Sequence, residues 1–194
     1  IALLKQGRLL SERQIKVLCE LARAILVEED NVQPVPAPVT ICGVLPGHFH
    51  ELLNIFEVGG HPPSTNYLFL GGYLRGFNTR DSPDSLLTFL LLIALKIRYP
   101  RRIHLCRGKF ECRFMTQQRP FNYEQKFGFY DECLRIYGTA DVWKCCMDVC
   151  DTLTLSCVVE DHLFCVHSGL SPELDTFDDI RTVRRFQEQP HEGP

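Results

Sequence analysis

From Ser11 onward the chain alternates apolar and polar positions with a helical period, and Ile15, Leu18, Leu21, Ala22, Ile25 and Leu26 fall on one face. Ser11 followed three residues later by Gln14 is a capping-box pattern, in which each side chain satisfies the other's otherwise unpaired backbone N–H. Together they predict a first amphipathic helix over residues 11–29. The proline-rich stretch 33–38 ends it, and the apolar run 39–42 predicts a short buried strand stopped by Gly43. A helix over 49–57, closed by Gly59 and Gly60, and a second strand over 66–70, closed by Gly71 and Gly72, come next. Residues 85–99 predict a largely buried helix that must stop before Pro100, and 103–106 a third strand.

This strand, glycine loop, helix order favours parallel strands joined by right-handed crossovers. Sites in such sheets lie at the carboxyl ends of the strands, here the loops after Cys42, Leu70 and Cys106. Two further helices, over 128–137 and 140–150, precede strands over 155–159 and 163–167 joined by a turn at Glu160 and Asp161. The last strand runs into His167-Ser168-Gly169-Leu170, a fourth strand-end loop. No internal repeat, low-complexity segment or boundary divides residues 1–194, so a single domain is expected.

Composition narrows the function classes. The chain has 194 residues, 45% hydrophobic and 23% charged, and at that length roughly 70% of the unfolded surface can be buried, so a core needs no disulfide or structural metal. With 21 basic against 24 acidic residues and no basic run, it lacks the electrostatic footprint of a nucleic-acid or anionic-membrane binder. The longest apolar run, 86–95, is too short to cross a bilayer, and no signal-peptide pattern opens the chain, which predicts a soluble protein of the cytoplasm, with the nucleus also open to it. Ten cysteines, many in apolar stretches (Cys19, Cys42, Cys106, Cys157, Cys165), read as reduced buried thiols, and no C-x-x-C pair suggests zinc or redox chemistry. With no initiator methionine at Ile1 and a polar stretch running out at Pro194, a fragment is expected.

A metal-dependent hydrolase would need carboxylates and histidines in the strand-end loops, because two divalent ions about 3.5–4 Å apart need several hard ligands and a bridging carboxylate. The loops instead read Gly43-Val44-Leu45-Pro46-Gly47-His48, Gly71-Gly72-Tyr73-Leu74-Arg75-Gly76 and Arg107-Gly108-Lys109-Phe110-Glu111. They hold glycine turns and almost no ligands.

In spacing and flanking sequence these loops carry a resemblance. The segments 25–29, 31–33, 65–69, 94–96, 128–135, 169–172 and 190–194 resemble the catalytic subunit of the metallo-dependent protein serine/threonine phosphatases, in the type 2A branch and nearest its type 4 member. The resemblance runs along essentially the whole chain, which corresponds to roughly the first 60% of such a subunit, estimated from the order of elements. It implies an α/β layered metallophosphatase fold, a mixed β-sheet flanked by helices, with the C-terminal portion missing. It also implies a phosphoserine/phosphothreonine hydrolase with two divalent metals (manganese, iron or zinc) and scaffold or regulatory subunits as partners.

The family signature is G-D-x-H-G, then G-D-x-V-D-R-G, then G-N-H-E, then a histidine before G-G-L-S-P. By resemblance, Val44 stands where the first metal-binding Asp belongs, Pro46 replaces the following His, and Gly72 takes the place of the Asp that bridges both metals. The Asp that orients the general acid is missing between Leu74 and Arg75, Lys109 replaces the metal-binding Asn, and Phe110 replaces the histidine that would protonate the leaving group. Arg75, a phosphate contact, and His167, a ligand of the second metal, are the positions kept. Two cations without a bridging carboxylate repel, and the lost general acid alone is worth about 10²–10⁴ in rate. The expectation is therefore a pseudophosphatase with no cofactor, acting through protein binding. An active phosphatase with motifs completed elsewhere and a non-functional fragment of a duplicated gene are the alternatives.

Each retained residue has a plainer reading beside the chemical one. Arg75 could grip phosphate bidentately or be a solvated loop arginine, and the second is preferred. His167 could hold a lone metal with His48, His50 or Glu111, or be a hydrogen-bonded loop histidine, and again the second is preferred. Asp81 reads as part of a surface loop rather than a displaced ligand, and Cys145, Cys146 and Cys150 as core packing rather than a metal site. Two insertions relative to the family, 80–85 and 119–126, enlarge loops beside the former site.

Overall fold

The computed structural model describes residues 1–45, 47–74, 84–117 and 128–188. In chain order its elements are α1 (Ala2–Lys5), α2 (Glu12–Leu26), β1 (Val32–Val35), β2 (Thr40–Cys42), α3 (Phe49–Gly59), β3 (Tyr67–Phe69) and α4 (Ser85–Arg98). Then follow β4 (Ile103–Leu105), α5 (Arg113–Gln117), α6 (Phe129–Tyr137), α7 (Asp141–Cys150), β5 (Ser156–Val159), β6 (Leu163–Val166) and α8 (Phe177–Thr182).

The capping box at Ser11 and Gln14 forms as its residue types dictate, with the Gln14 N–H donating to Ser11 Oγ and the Ser11 N–H to Gln14 Oε1 at 2.9 Å. Ile15, Cys19, Ala22 and Leu26 make the buried stripe of α2, which packs on α4 and α7. The α4 helix is apolar nearly all round, and every residue from Ser85 to Lys96 is buried, as expected of a helix enclosed by its neighbours rather than lying on the surface. Each such leucine contributes about 1.5–3 kcal/mol by leaving water. Lys96, fully buried among them, donates to Glu29 and to the carbonyls of Pro100 (3.0 Å) and Ile103 (2.8 Å), which tie the end of α4 to the start of β4.

The strands form two three-stranded sheets, in the orders β1-β5-β6 and β2-β3-β4. The β2-β3-β4 sheet is wholly parallel, as the alternation of strand and helix requires, with β3 central. In the other sheet β1 and β5 are parallel and β5 and β6 antiparallel. A parallel bridge between Cys106, just after β4, and Thr154, just before β5, links the two sheets. Val35, Leu68, Cys106, Cys157, Val159 and Cys165 make a small apolar layer between them, while the main core lies between the β2-β3-β4 sheet and the helices. The arrangement is the expected α/β layering of mixed strands flanked by helices.

Several elements differ from the sequence expectation. The proline-rich stretch contains a strand, β1, because Pro34 lies on an edge whose outer side needs no N–H. The first helix ends at Leu26, not 29. The helices α1, α5 and α8 are too short to show a clear period, although Thr176 and Asp179 form a capping box that announces α8. Glu160 and Asp161 make the turn into β6 with positive φ at both, closed by His162 N–H to the Val159 carbonyl at 3.0 Å. All ten cysteines are free thiols, nine of them buried and Cys145 half-buried, and burial pushes Cys42 up to about 11. No helix among the described residues is long and apolar enough to cross a membrane.

Candidate functional site

The ends of β2, β3, β4 and β6 converge on one spot, and glycine makes the approach possible. A Cβ on Gly71 would stand 2.6 Å from the Gly108 nitrogen and 3.0 Å from His167 Nδ1. One on Gly108 would meet the Gly72 nitrogen and Glu111 Oε2, both at 2.5 Å, and His167 Cε1 at 2.8 Å. The loops that end β3 and β4 thus pass backbone against backbone, with the histidine that follows β6 laid over them.

Glu111 holds these loops together. Its carboxylate is fully buried, and Oε2 accepts the N–H groups of Gly72 (2.7 Å) and Gly108 (2.8 Å) while Oε1 accepts those of Tyr73 (2.8 Å) and Leu74 (3.1 Å). Burial pushes the pKa of Glu111 upward, against the four backbone N–H bonds that favour its charged form. The Tyr73 hydroxyl lies 3.0 Å from the Phe69 carbonyl and 2.9 Å from that of Cys106, bridging the same two strand ends, and burial raises its pKa well above the tyrosine value. The Gly47 N–H, from the loop after β2, donates to the Tyr73 carbonyl at 3.2 Å.

His167 stands half-buried with Nδ1 2.8 Å from the Leu70 carbonyl. A carbonyl only accepts, so Nδ1–H is the donor in this bond. Val44, at the end of β2, is 53% exposed and lies across Gly72, whose Cβ, if it had one, would be 2.7 Å from Val44 Cγ1. Gly72 also has φ +76°, a left-handed conformation that side chains disfavour.

The remaining residues singled out from the sequence scatter. Lys109 is exposed. Phe110 is half-buried and packs against the main core. His48 lies 3.9 Å from the Glu51 carboxylate on α3, and His50 is exposed with its ring edge-on to Phe49. Glu111 has both oxygens engaged by backbone N–H donors. Among the described residues no group of three or more His, Cys, Asp or Glu side chains could hold a metal ion. Cys146 and Cys150 are core residues of α7, as expected. Pro46, Arg75, Asp81, the insertion 119–126 and residues 80–83 of the insertion 80–85 lie outside the described residues. The role of Glu111 was missed, although a single acid three residues beyond Gly108 in a glycine turn was the available signal.

Comparison with known proteins places this geometry. The family model described as calcineurin-like phosphoesterase matches residues 37–193. A solved protein serine/threonine phosphatase from Saccharomyces cerevisiae, described as similar to the human phosphatase PP5, superposes over 97% of this chain with a TM-score of 0.84 at 23% sequence identity. The chain spans 58% of the length of that protein.

Proposed function

Because the chain belongs to the calcineurin-like phosphoesterase family, we propose that it is a catalytically silent relative of the protein serine/threonine phosphatases, of the type 2A branch and nearest the type 4 member, that acts by binding. The observation that carries this reading is the contact between Val44 and Gly72. By resemblance these two residues take the positions of the first metal-binding Asp and the bridging Asp, and an isopropyl group meeting a bare backbone offers a cation nothing. A two-metal centre needs a bridging carboxylate to offset the repulsion of its ions, and the described residues do not fit one. Phe110, at the general-acid position, is packed against the core and has no proton to give.

The frame around the site supports the same reading from the other side. The Glu111 clamp, the Tyr73 bridge and the His167 hydrogen bond keep the ends of β3, β4 and β6 in register although the chemistry at their centre is gone. A surface preserved in shape fits a protein-binding role, with scaffold or regulatory subunits of type 2A enzymes as partners in the cytoplasm and nucleus.

The test is metal stoichiometry with turnover. The purified chain is loaded with excess manganese, dialysed, and its bound ions counted by native mass spectrometry beside a His167→Ala control, while release of phosphate from a phosphoserine peptide is followed in parallel. No retained ion and no turnover is the expected result. Two tightly held ions, lost in the control, with phosphate release would overturn the reading.

A further inference from the structure

We propose that residues 176–188 form a detachable strap, pinned by Arg185, whose release loosens the strand-end loop carrying Lys109 and Phe110. Of these thirteen residues only Arg185 is buried, at 6% exposure, and α8 buries none of its own side chains. Its apolar contacts are partial, with Ile180 and Val183 half-buried and the Phe177 ring tilted against Phe164 at 5.1 Å between centroids, so polar bonds carry much of its hold, and such segments open below the global unfolding free energy.

The pin is specific. The Arg185 guanidinium enters the end of α2 and donates to the carbonyls of Leu26 (2.8 Å) and Glu29, to Asn31 Oδ1 (2.6 Å) and to the Thr152 carbonyl (3.3 Å). A cation at a helix C-terminus satisfies carbonyls that have no partner within the helix and complements the helix dipole. Asn31 completes the bolt from the opposite direction, with Nδ2 donating to the carbonyls of Ile180 (2.9 Å), Arg181 (3.2 Å) and Val183 (2.6 Å).

Beyond the pin the strap reaches the candidate site. The guanidinium of Arg107 donates to the carbonyls of Arg185 (3.1 Å) and Gln187 (2.8 Å), and also to the Glu111 carbonyl (3.1 Å) and Asp151 (3.0 Å). The Glu188 carboxylate accepts the backbone N–H groups of Arg113 (3.0 Å) and Phe114 (3.1 Å) and pairs with the Arg113 guanidinium at 3.1 Å. Opening the strap therefore removes five hydrogen bonds from residues 107–114, two from Arg107 in the loop between β4 and α5 and three from Arg113 and Phe114 at the start of α5. A partner that grips residues 176–188 moves this loop without touching it.

Hydrogen–deuterium exchange of the intact chain reads the coupling directly. In the unaltered protein, amides of 177–188 and of Arg113 and Phe114 are expected to exchange together, at least 100-fold faster than those of α4. Exchange of these amides only at the α4 rate would overturn the proposal. In Glu188→Gln, which leaves the Arg185 pin intact, the Arg113 and Phe114 amides are expected to exchange about tenfold faster, with 177–183 unchanged. In Arg185→Met both segments are expected to speed by tenfold or more. Acceleration of 177–188 with Arg113 and Phe114 unmoved would show a strap uncoupled from the loop and sink the idea. Should Arg185→Met fail to fold, the unaltered chain and Glu188→Gln decide the matter by themselves.

Discussion

Val44 closes over Gly72, and a single methylene of space separates this pair from a clash, since a Cβ at position 72 would lie 2.7 Å from Val44 Cγ1. Two effects therefore oppose any side chain at 72, the left-handed φ of +76° and the contact itself.

These effects separate in a double-mutant cycle. Gly72→Ala is expected to lower stability by about 2–3 kcal/mol, and in a Val44→Ala background by about 1 kcal/mol less, because only the backbone strain then remains. Denaturant unfolding of the four proteins measures the coupling, and strict additivity would mean that the two residues do not touch.

The Glu111 clamp makes the second prediction. Glu111→Gln turns one acceptor into a donor facing backbone N–H groups, and a cost of about 2–4 kcal/mol is expected for a change of one atom in a fully buried group. The unfolding midpoint reports it. A near-neutral result would mean that water reaches the carboxylate.

The buried ion pair between Lys96 and Glu29 gives the third. Lys96→Met strands the Glu29 carboxylate in a nearly dry site and is expected to cost about 3–5 kcal/mol, while Lys96→Met with Glu29→Leu recovers most of it. Thermal unfolding of the single and double variants distinguishes a costly orphan charge from lost packing.

The fourth concerns pH. His104 on β4 is 5% exposed, and burial, then the Lys96 ammonium, hold its pKa down to about 4 from 6.5, against a smaller opposing pull from the Arg101 backbone. Above pH 6.5 the ring is neutral folded or unfolded, so it adds no pH dependence. As pH falls from 6.5 towards 4 the unfolded chain takes up a proton that the folded one refuses, and stability drops by about 3 kcal/mol in total. His104→Val is expected to flatten this limb in a series of denaturant midpoints from pH 7 to 4. An unchanged limb would assign the acid sensitivity to other groups.

What the sequence determined by itself was whatever depends on neighbours in the chain. The Ser11–Gln14 box, the stripe of α2, the apolar α4 and the glycine-closed strands β2, β3 and β4 were legible because capping, periodicity and φ preference act over three or four residues. The residues at positions 44, 72, 109 and 110 were legible too, and the departures from the family signature expected there need only a comparison of residues. Tertiary structure decided what those positions do. It turned Phe110 into the core and Lys109 into water, and it set Val44 on Gly72. It also spent both oxygens of Glu111 on the loop after β3, and drove Arg185 into the end of α2 from more than 150 residues away. Hydrogen bonds between residues so far apart in sequence leave no local trace, because their partners are backbone carbonyls and N–H groups that every residue type supplies.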